Sequence, residues 1–374
     1  MGFADLHAVA ATISRADTAE DLFGILAGSI EARLEALTHL YRKLVTVVHP
    51  DKYAVAAEAH LAREAFIKAT ALKTHAEAKI RAGTYGDKKV EAPTPHVDSP
   101  PVVIKTKDRE YTVGKRFAQG DLCDLYESTY RAERVCFKIA QSAADNDLVE
   151  NESRVLKKLS PAKQKEEKFY RYLPRCLDTF MFRGAGSAET RRVNVLTMLD
   201  GYRSLAEVHS VYPNGLDYRD VVWMLKRSLA GLGFIHSQGV VHGAIIPPHV
   251  MVHPTDHGAK IIDWSYAVEG DGHVKALSKP YRAFYAPEIL KKQKATSATD
   301  VYMLFKCVVS LLGGDVETGH MPETVPKPFL NFVSGCLIAA QARRPDDAWK
   351  LHEELDELLE RLVGKPKYRP LVMP

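Results

Sequence analysis

The chain has 374 residues, 46% hydrophobic and 26% charged, the proportions of an ordinary folded protein with room for two or three domains. Its 51 basic and 47 acidic side chains leave a net charge of +4, too small for the chain as a whole to bind nucleic acid by charge. The five cysteines, at 123, 136, 176, 307 and 336, form no C-x-x-C pair, which argues against a disulfide framework or a zinc site and for a reducing compartment.

The opening MGFADLHAVA lacks the basic-then-apolar pattern of a signal peptide, and Leu6 breaks the myristoylation motif. No apolar run approaches a membrane span, so a cytoplasmic location without a membrane partner is expected. Residues 1–86 are Ala-rich and read as helical. Ile30, Leu34, Leu37, Tyr41, Leu44 and Val48 fall on one helical stripe, with Ser29 as N-cap and Glu31 in the first turn. That helix should stop at His49, because Pro50 disfavours the helical conformation in the residue before it. A second stripe, Ala62, Phe66, Ala69, Leu72 or Lys73, Ala76 and Ile80, is narrow and mostly alanine, suited to close antiparallel packing. The expected unit is a helical hairpin with His49-Pro50-Asp51-Lys52 at its tip.

Tyr41-Arg42-Lys43-Leu44 followed by His49-Pro50-Asp51-Lys52 resembles the second helix and HPD loop of a J-domain of the DnaJ family. Asp21-Leu22-Phe23-Gly24-Ile25-Leu26 resembles its short first helix. The family implies contact with a DnaK-type chaperone through Arg42, Lys43, His49, Pro50 and Asp51, and stimulation of its ATP hydrolysis. The last helix departs from the pattern, with Ala71 and Leu72 where a bulky aromatic is usual, and no Gly/Phe-rich or Cys-rich module follows. Residues 87–107, with Pro93, Pro95, Pro100 and Pro101, read as a semi-extended linker.

From Asp108 short β-branched runs begin, and helical periodicity takes over near residue 216. Phe117-Ala118-Gln119-Gly120-Asp121 comes next, with a single glycine, Gly120. Then come Val135-Cys136-Phe137-Lys138, Glu152, and Val195-Leu196-Thr197-Met198-Leu199-Asp200-Gly201. A helix with Val222, Leu225, Leu229 and Leu232, capped by Asp217 and closed near Gly239, leads into Val241-His242-Gly243-Ala244-Ile245-Ile246-Pro247-Pro248-His249. Lys260-Ile261-Ile262-Asp263-Trp264-Ser265, Ala286-Pro287-Glu288, Asp300-Val301-Tyr302 and Arg344-Pro345 follow.

In that order these runs resemble a protein kinase over about 108–364. The resemblance implies an α plus α+β chain: a J-domain-like domain (1–86), the linker, a β-rich lobe (108–198), a helical lobe (199–364) and a tail (365–374). Lys138 falls on the phosphate-pairing lysine, Glu152 on its helix partner, Thr197 on the gatekeeper and Asp263 on the metal-binding aspartate. Glu288 and Arg344 match a buried ion pair, and Asp300 matches the aspartate that braces the catalytic loop. The catalytic base is replaced by Ala244, the loop lysine by Ile246, the loop arginine by Gly243 and the second metal ligand by His249. Phosphoryl transfer depends on those groups, so a kinase-like domain impaired in catalysis is expected, with no required cofactor. Gly120, Lys138, Glu152, Thr197 and Asp263 still offer a place for ATP, with magnesium on Asp263.

Arg154, Lys157, Lys158, Lys163, Lys165, Lys168, Arg171 and Arg175, interleaved with Phe169, Tyr170 and Tyr172, fit two readings. One is a docking patch for an acidic partner or RNA; the other is a solvated face with its aromatics packed inward. For the whole chain the expectation is a co-chaperone whose kinase-like domain binds a client or partner. Its alternatives are an atypical ATP-using transferase with His242 or His249 recruited, and a nucleotide-sensing switch.

Overall fold

The computed structural model describes residues 6–16, 18–24, 26, 28–53, 55–81, 85, 102–160, 167–184, 187–270, 272–364 and 367–373. Most of the expected linker, and Ile25 of the short-helix motif, lie outside these. The chain divides into two units, residues 1–98 and 99–374. Among the described residues no helix is long and apolar enough to cross a membrane.

The first unit contains helices α1 (Leu6–Arg15), α2 (Ala19–Phe23), α3 (Ile30–Val48) and α4 (Ala56–Arg81). Thr18 and Asp21 cap α2 reciprocally: Asp21 N donates to Thr18 Oγ1 at 3.2 Å, and Thr18 N donates to Asp21 Oδ2 at 2.9 Å. Ser29 Oγ accepts from Ala32 N to start α3, and the helix ends where His49 turns extended ahead of Pro50. Ala62, Ala69 and Ala76 are fully buried on α4, so its backbone can approach Leu37 and Val48 of α3 closely. Tyr41 Oη and Thr70 Oγ1 bridge the two helices at 2.8 Å. Ile30 departs from its predicted stripe and is 50% exposed, since the buried part of the stripe begins further along the helix.

The second unit opens with an antiparallel sheet ordered β1-β2-β3-β4-β6-β5. Its strands are β1 (Val102–Lys105), β2 (Glu110–Gln119), β3 (Cys123–Tyr130), β4 (Glu133–Ala140), β5 (Cys176–Phe182) and β6 (Arg191–Thr197), with helices α5 (Asn146–Lys158) and α6 (Glu167–Tyr170) between β4 and β5. β1 corrects the linker boundary. Val102–Lys105 pair with β2, and Ile104 packs in the cluster around Tyr111, so a β-branched run forms an edge strand directly after the prolines.

The helical lobe carries β7 (Arg203–Ser204), α7 (Leu205–Val211), α8 (Tyr218–Ser237), β8 (Val240–Val241), β9 (Val250–Val252), β10 (Ala259–Ile261), β11 (Val268–Glu269), α9 (Pro287–Leu290), α10 (Ser297–Leu311), α11 (Lys327–Cys336) and α12 (Ala348–Val363). Asp217 caps α8, and Gly239 follows it at φ 68, the conformation that glycine tolerates best. α10 is buried along its whole length and forms the centre of this lobe. The phase of these helices explains why the lobe folds around α8 and α10; the site depends on the loops that they hold.

Candidate functional sites

In the first unit the tip of the hairpin is braced by its own backbone. Lys52 N donates to His49 O at 3.2 Å, and Tyr53 N to Pro50 O at 3.1 Å, closing a short turn over Pro50–Lys52. Tyr53 Oη donates to Val47 O at 2.6 Å, and Lys52 Nζ to Thr46 O at 2.5 Å. The His49 ring stands edge-on to Phe66, with centroids 5.5 Å apart. Arg42 and Lys43 are exposed on α3. The side chain of Asp51 lies outside the described ones.

In the second unit a buried charge cluster forms under β4. Lys138 Nζ is 2.9 Å from Glu152 Oε1 on α5 and 2.7 Å from Asp263 Oδ1. Glu152 is fully buried and takes further donors, Asn194 Nδ2 at 2.9 Å and Trp264 N at 3.3 Å. Asp263 is held in a left-handed backbone conformation, φ 62, which is uncommon for a residue with a side chain. Asn151 on α5 fixes that turn by donating to the carbonyls of Ser265 and Ala267, at 3.2 and 2.8 Å. Glu269 pairs with Arg154 and Lys158, so α5 and this loop are clamped together.

Burial works against the charge on Lys138, but Asp263 and then Glu152 outweigh it and hold the lysine pKa well above its ordinary value. Burial likewise opposes the Asp263 carboxylate, and Lys138 followed by His249 overrides it, so the pKa falls below the carboxylate range. His249 takes the remaining side of Asp263, with Nε2 3.3 Å from Oδ2 and Nδ1 2.9 Å from the Ala244 carbonyl. Both ring nitrogens therefore face oxygens.

A magnesium ion needs free carboxylate oxygens in near-octahedral array. Here one oxygen of Asp263 is on Lys138 and the other on His249, and no metal-sized group of His, Cys, Asp and Glu gathers among the described residues. A magnesium ion on Asp263 would have to displace one of these two side chains.

The other positions expected to hold nucleotide also differ. The amide of Gly120 is taken, donating to Cys123 O at 2.8 Å, while Gln141 Nε2 donates to Gly120 O at 2.9 Å. The loop is thereby closed on itself, and Asp121 beside it adds to burial in raising the pKa of Tyr281. A carboxylate there repels phosphate. Thr197 is turned away from Lys138. Its Oγ1 accepts from Arg175 N at 3.1 Å on the opposite side of the strand, whereas Leu196 pairs with Cys136 and shares a face with Asn194. The side chain opposite Cys136 is therefore Leu196, a one-residue correction that moves the threonine to the other face.

Around the loop that follows β8, Ala244, Ile245 and Ile246 are fully buried. His242 Nε2 donates to Ile262 O at 3.0 Å and Nδ1 accepts from Ala244 N at 3.3 Å, which fixes a neutral tautomer. Burial is the main cause that lowers its pKa to about 4. With both nitrogens occupied, His242 has no free lone pair for proton abstraction. Asp300, fully buried, accepts from the amides of His242 and Gly243, at 2.7 and 2.8 Å, and contacts His236 Nε2 at 2.9 Å. Gly243 sits at φ 74, and a Cβ there would come within 2.6 Å of Val274 Cγ2. Arg344 forks onto Glu288 at 2.7 and 3.2 Å, both side chains buried. In the basic stretch, Phe169 stacks on Phe234 at 5.6 Å and Tyr170 and Tyr172 are buried, so its aromatics pack inward; Lys163 and Lys165 lie outside the described residues.

Sequence comparison matches residues 111–365 to the model of the protein kinase domain. The chain is 20% identical over 294 residues to mitogen-activated protein kinase kinase kinase 17 of Arabidopsis thaliana, covering 71% of this chain and 73% of that one. It is 31% identical over 107 residues to cyclin-dependent kinase-like 2 of Rattus norvegicus, covering 28% of this chain and 21% of the relative. Against serine/threonine-protein kinase pakE of Dictyostelium discoideum it is 24% identical over 195 residues, 46% of this chain and 21% of the relative. The chain thus spans about a fifth of the length of the cyclin-dependent kinase-like relatives that it matches.

Proposed function

From the premise that this chain belongs to the protein kinase family, we propose that its kinase-like domain is catalytically impaired and serves as a binding module. We further propose that residues 1–86 act as a J-domain that recruits a DnaK-type chaperone and stimulates its ATP hydrolysis. The observation that carries the first part is the state of Asp263. Its two oxygens are held by Lys138 and His249, and the position of the family's base is a buried alanine, Ala244. Without a base or free metal ligands, phosphoryl transfer loses both proton removal and charge neutralisation. The braced turn at His49-Pro50-Asp51, next to exposed Arg42 and Lys43, supports the second part. Joining two weak binding modules raises the effective concentration of one at the other to about the millimolar range, so neither needs high affinity.

The test is steady-state ATP hydrolysis by a DnaK-type chaperone with the full chain or with His49→Gln added. Stimulation by the full chain that is lost in the variant is expected. No stimulation, or equal stimulation by both, would sink the co-chaperone reading. One observation favours a nucleotide-sensing switch as the second reading: Lys138 and Glu152 are joined at 2.9 Å, as a phosphate-pairing lysine requires. The atypical-transferase reading has Ala244 against it.

A further inference from the structure

A hollow of about 590 Å³ opens on the side of β6 to which Thr197 turns, away from Lys138. Its size is within the range of small-ligand sites. The turn between α6 and β5 supplies Arg171 and Arg175, β10 supplies Lys260, and the segment after β6 supplies Met198 and Leu199. Lys260 Nζ is anchored at its floor, donating to Arg171 O at 2.6 Å and Leu173 O at 3.1 Å. An ammonium has three protons, and those two bonds leave one for the hollow. Thr197 Oγ1 accepts from Arg175 N and keeps its own proton to donate.

Three cations thus share one concave surface. Among the described residues none of them pairs with a carboxylate, and Asp200 at the rim is held by Arg134. Burial, then Arg175 and Arg171, bring the Lys260 pKa down to about 8. Arg171 is exposed and Arg175 lies over the Tyr170 ring at 5.3 Å, and the side chains offered are the ones that suit phosphate: guanidinium forks at the rim and an ammonium at the base.

We propose that this hollow binds a phosphate-bearing ligand, its dianion held between Arg171 and Arg175 above Lys260, with the body of the ligand against Met198 and Leu199. The phosphate could belong to a free compound or to a phosphorylated side chain of a partner protein. The site is on the opposite face of β6 from the charge cluster, so it is independent of whether the cleft takes nucleotide.

The test is calorimetric titration of the full chain with inorganic pyrophosphate, with a short phosphoserine peptide and with the same peptide unphosphorylated. Binding of pyrophosphate or of the phosphopeptide is expected, weakened at least about tenfold in Arg171→Glu/Arg175→Glu. Both arginines are exposed, so that variant should melt as the wild type does. Pyrophosphate binding would point to a free phosphate compound, and binding of the phosphopeptide alone to a protein partner; either supports the site. The proposal is overturned by no binding at millimolar concentration, or by binding that the double variant leaves intact, which would put the anion elsewhere. Equal binding of the two peptides would overturn it too.

Discussion

Two buried charge clusters lie in the kinase-like unit, and they treat the family's pattern in opposite ways. Around α10, Glu288, Arg344 and Asp300 stand where the family has them, and their partners are mostly backbone: Arg344 also donates to the carbonyls of Ile338 and Ala298, and Asp300 takes two loop amides. In the cleft, Lys138, Glu152 and Asp263 are kept, but the fourth member, His249, is new. The first cluster holds the loops in place whatever the loops do. In the second, Lys138 pairs with both carboxylates and a histidine fills the other side of Asp263. The cleft is therefore not a vacant charged one, which would be costly, but one closed by its own side chains.

The comparison breaks most sharply at Arg344→Met. This variant leaves Glu288 buried without its fork, and about 3–5 kcal/mol of stability should be lost. Urea unfolding of the chain checks it; a loss well under 1 kcal/mol would mean that the carboxylate finds water or another donor, and that the pair is not the brace described.

A pH titration falls between the two clusters, because His242 touches both: its amide bonds to Asp300 and its ring to the carbonyl before Asp263. The ring is buried neutral, with a pKa lowered from 6.5 to about 4. Between those values the unfolded chain binds a proton that the folded chain does not. Its contribution is therefore full above about pH 6.5 and is lost as pH falls toward 4, by about 3 kcal/mol. Replacement by glutamine, which can keep one donor and one acceptor, should flatten that slope by close to one proton. An unchanged slope in His242→Gln would show that other groups carry the acid sensitivity.

What the sequence made readable follows the same division. The end of α3 was legible because Pro50 acts on its neighbour by local sterics, and the α10 cluster was legible because its motifs occur in a fixed order. The capping of α3 by Ser29 and of α8 by Asp217 was likewise local chemistry. Three features were not. His249 could be read as a lost asparagine but not as a new partner for Asp263, since that contact depends on how two distant loops meet. Thr197 and Leu196 are adjacent, and only the strand register decides which of them faces Cys136; no residue signal fixes that to within one position. The edge strand β1 was hidden by the prolines before it, which reduce the expectation of strand without forbidding an edge position. The hollow around Lys260 was partly foreshadowed by the basic run, but the lysine comes from a segment about ninety residues later, a contact that no local pattern announces.

The smallest expected effect, and the one that most sharpens the comparison, is that of His249→Asn. Asparagine can still donate to the Ala244 carbonyl but no longer presents an imidazole to Asp263 Oδ2, so of the two the carboxylate keeps Lys138. The stability lost should be about 1 kcal/mol, because Nε2 lies 3.3 Å from Oδ2 without hydrogen-bond alignment. Because that substitution restores an oxygen ligand and frees a carboxylate oxygen, magnesium with ATP should raise the melting temperature of the variant while leaving the wild type unmoved. If both proteins respond alike, His249 yields its place readily and the cleft is a working nucleotide site. If neither responds, the closed Gly120 loop and the Asp121 carboxylate beside it are enough to exclude phosphate, and the histidine serves only to fill the side of Asp263 away from Lys138.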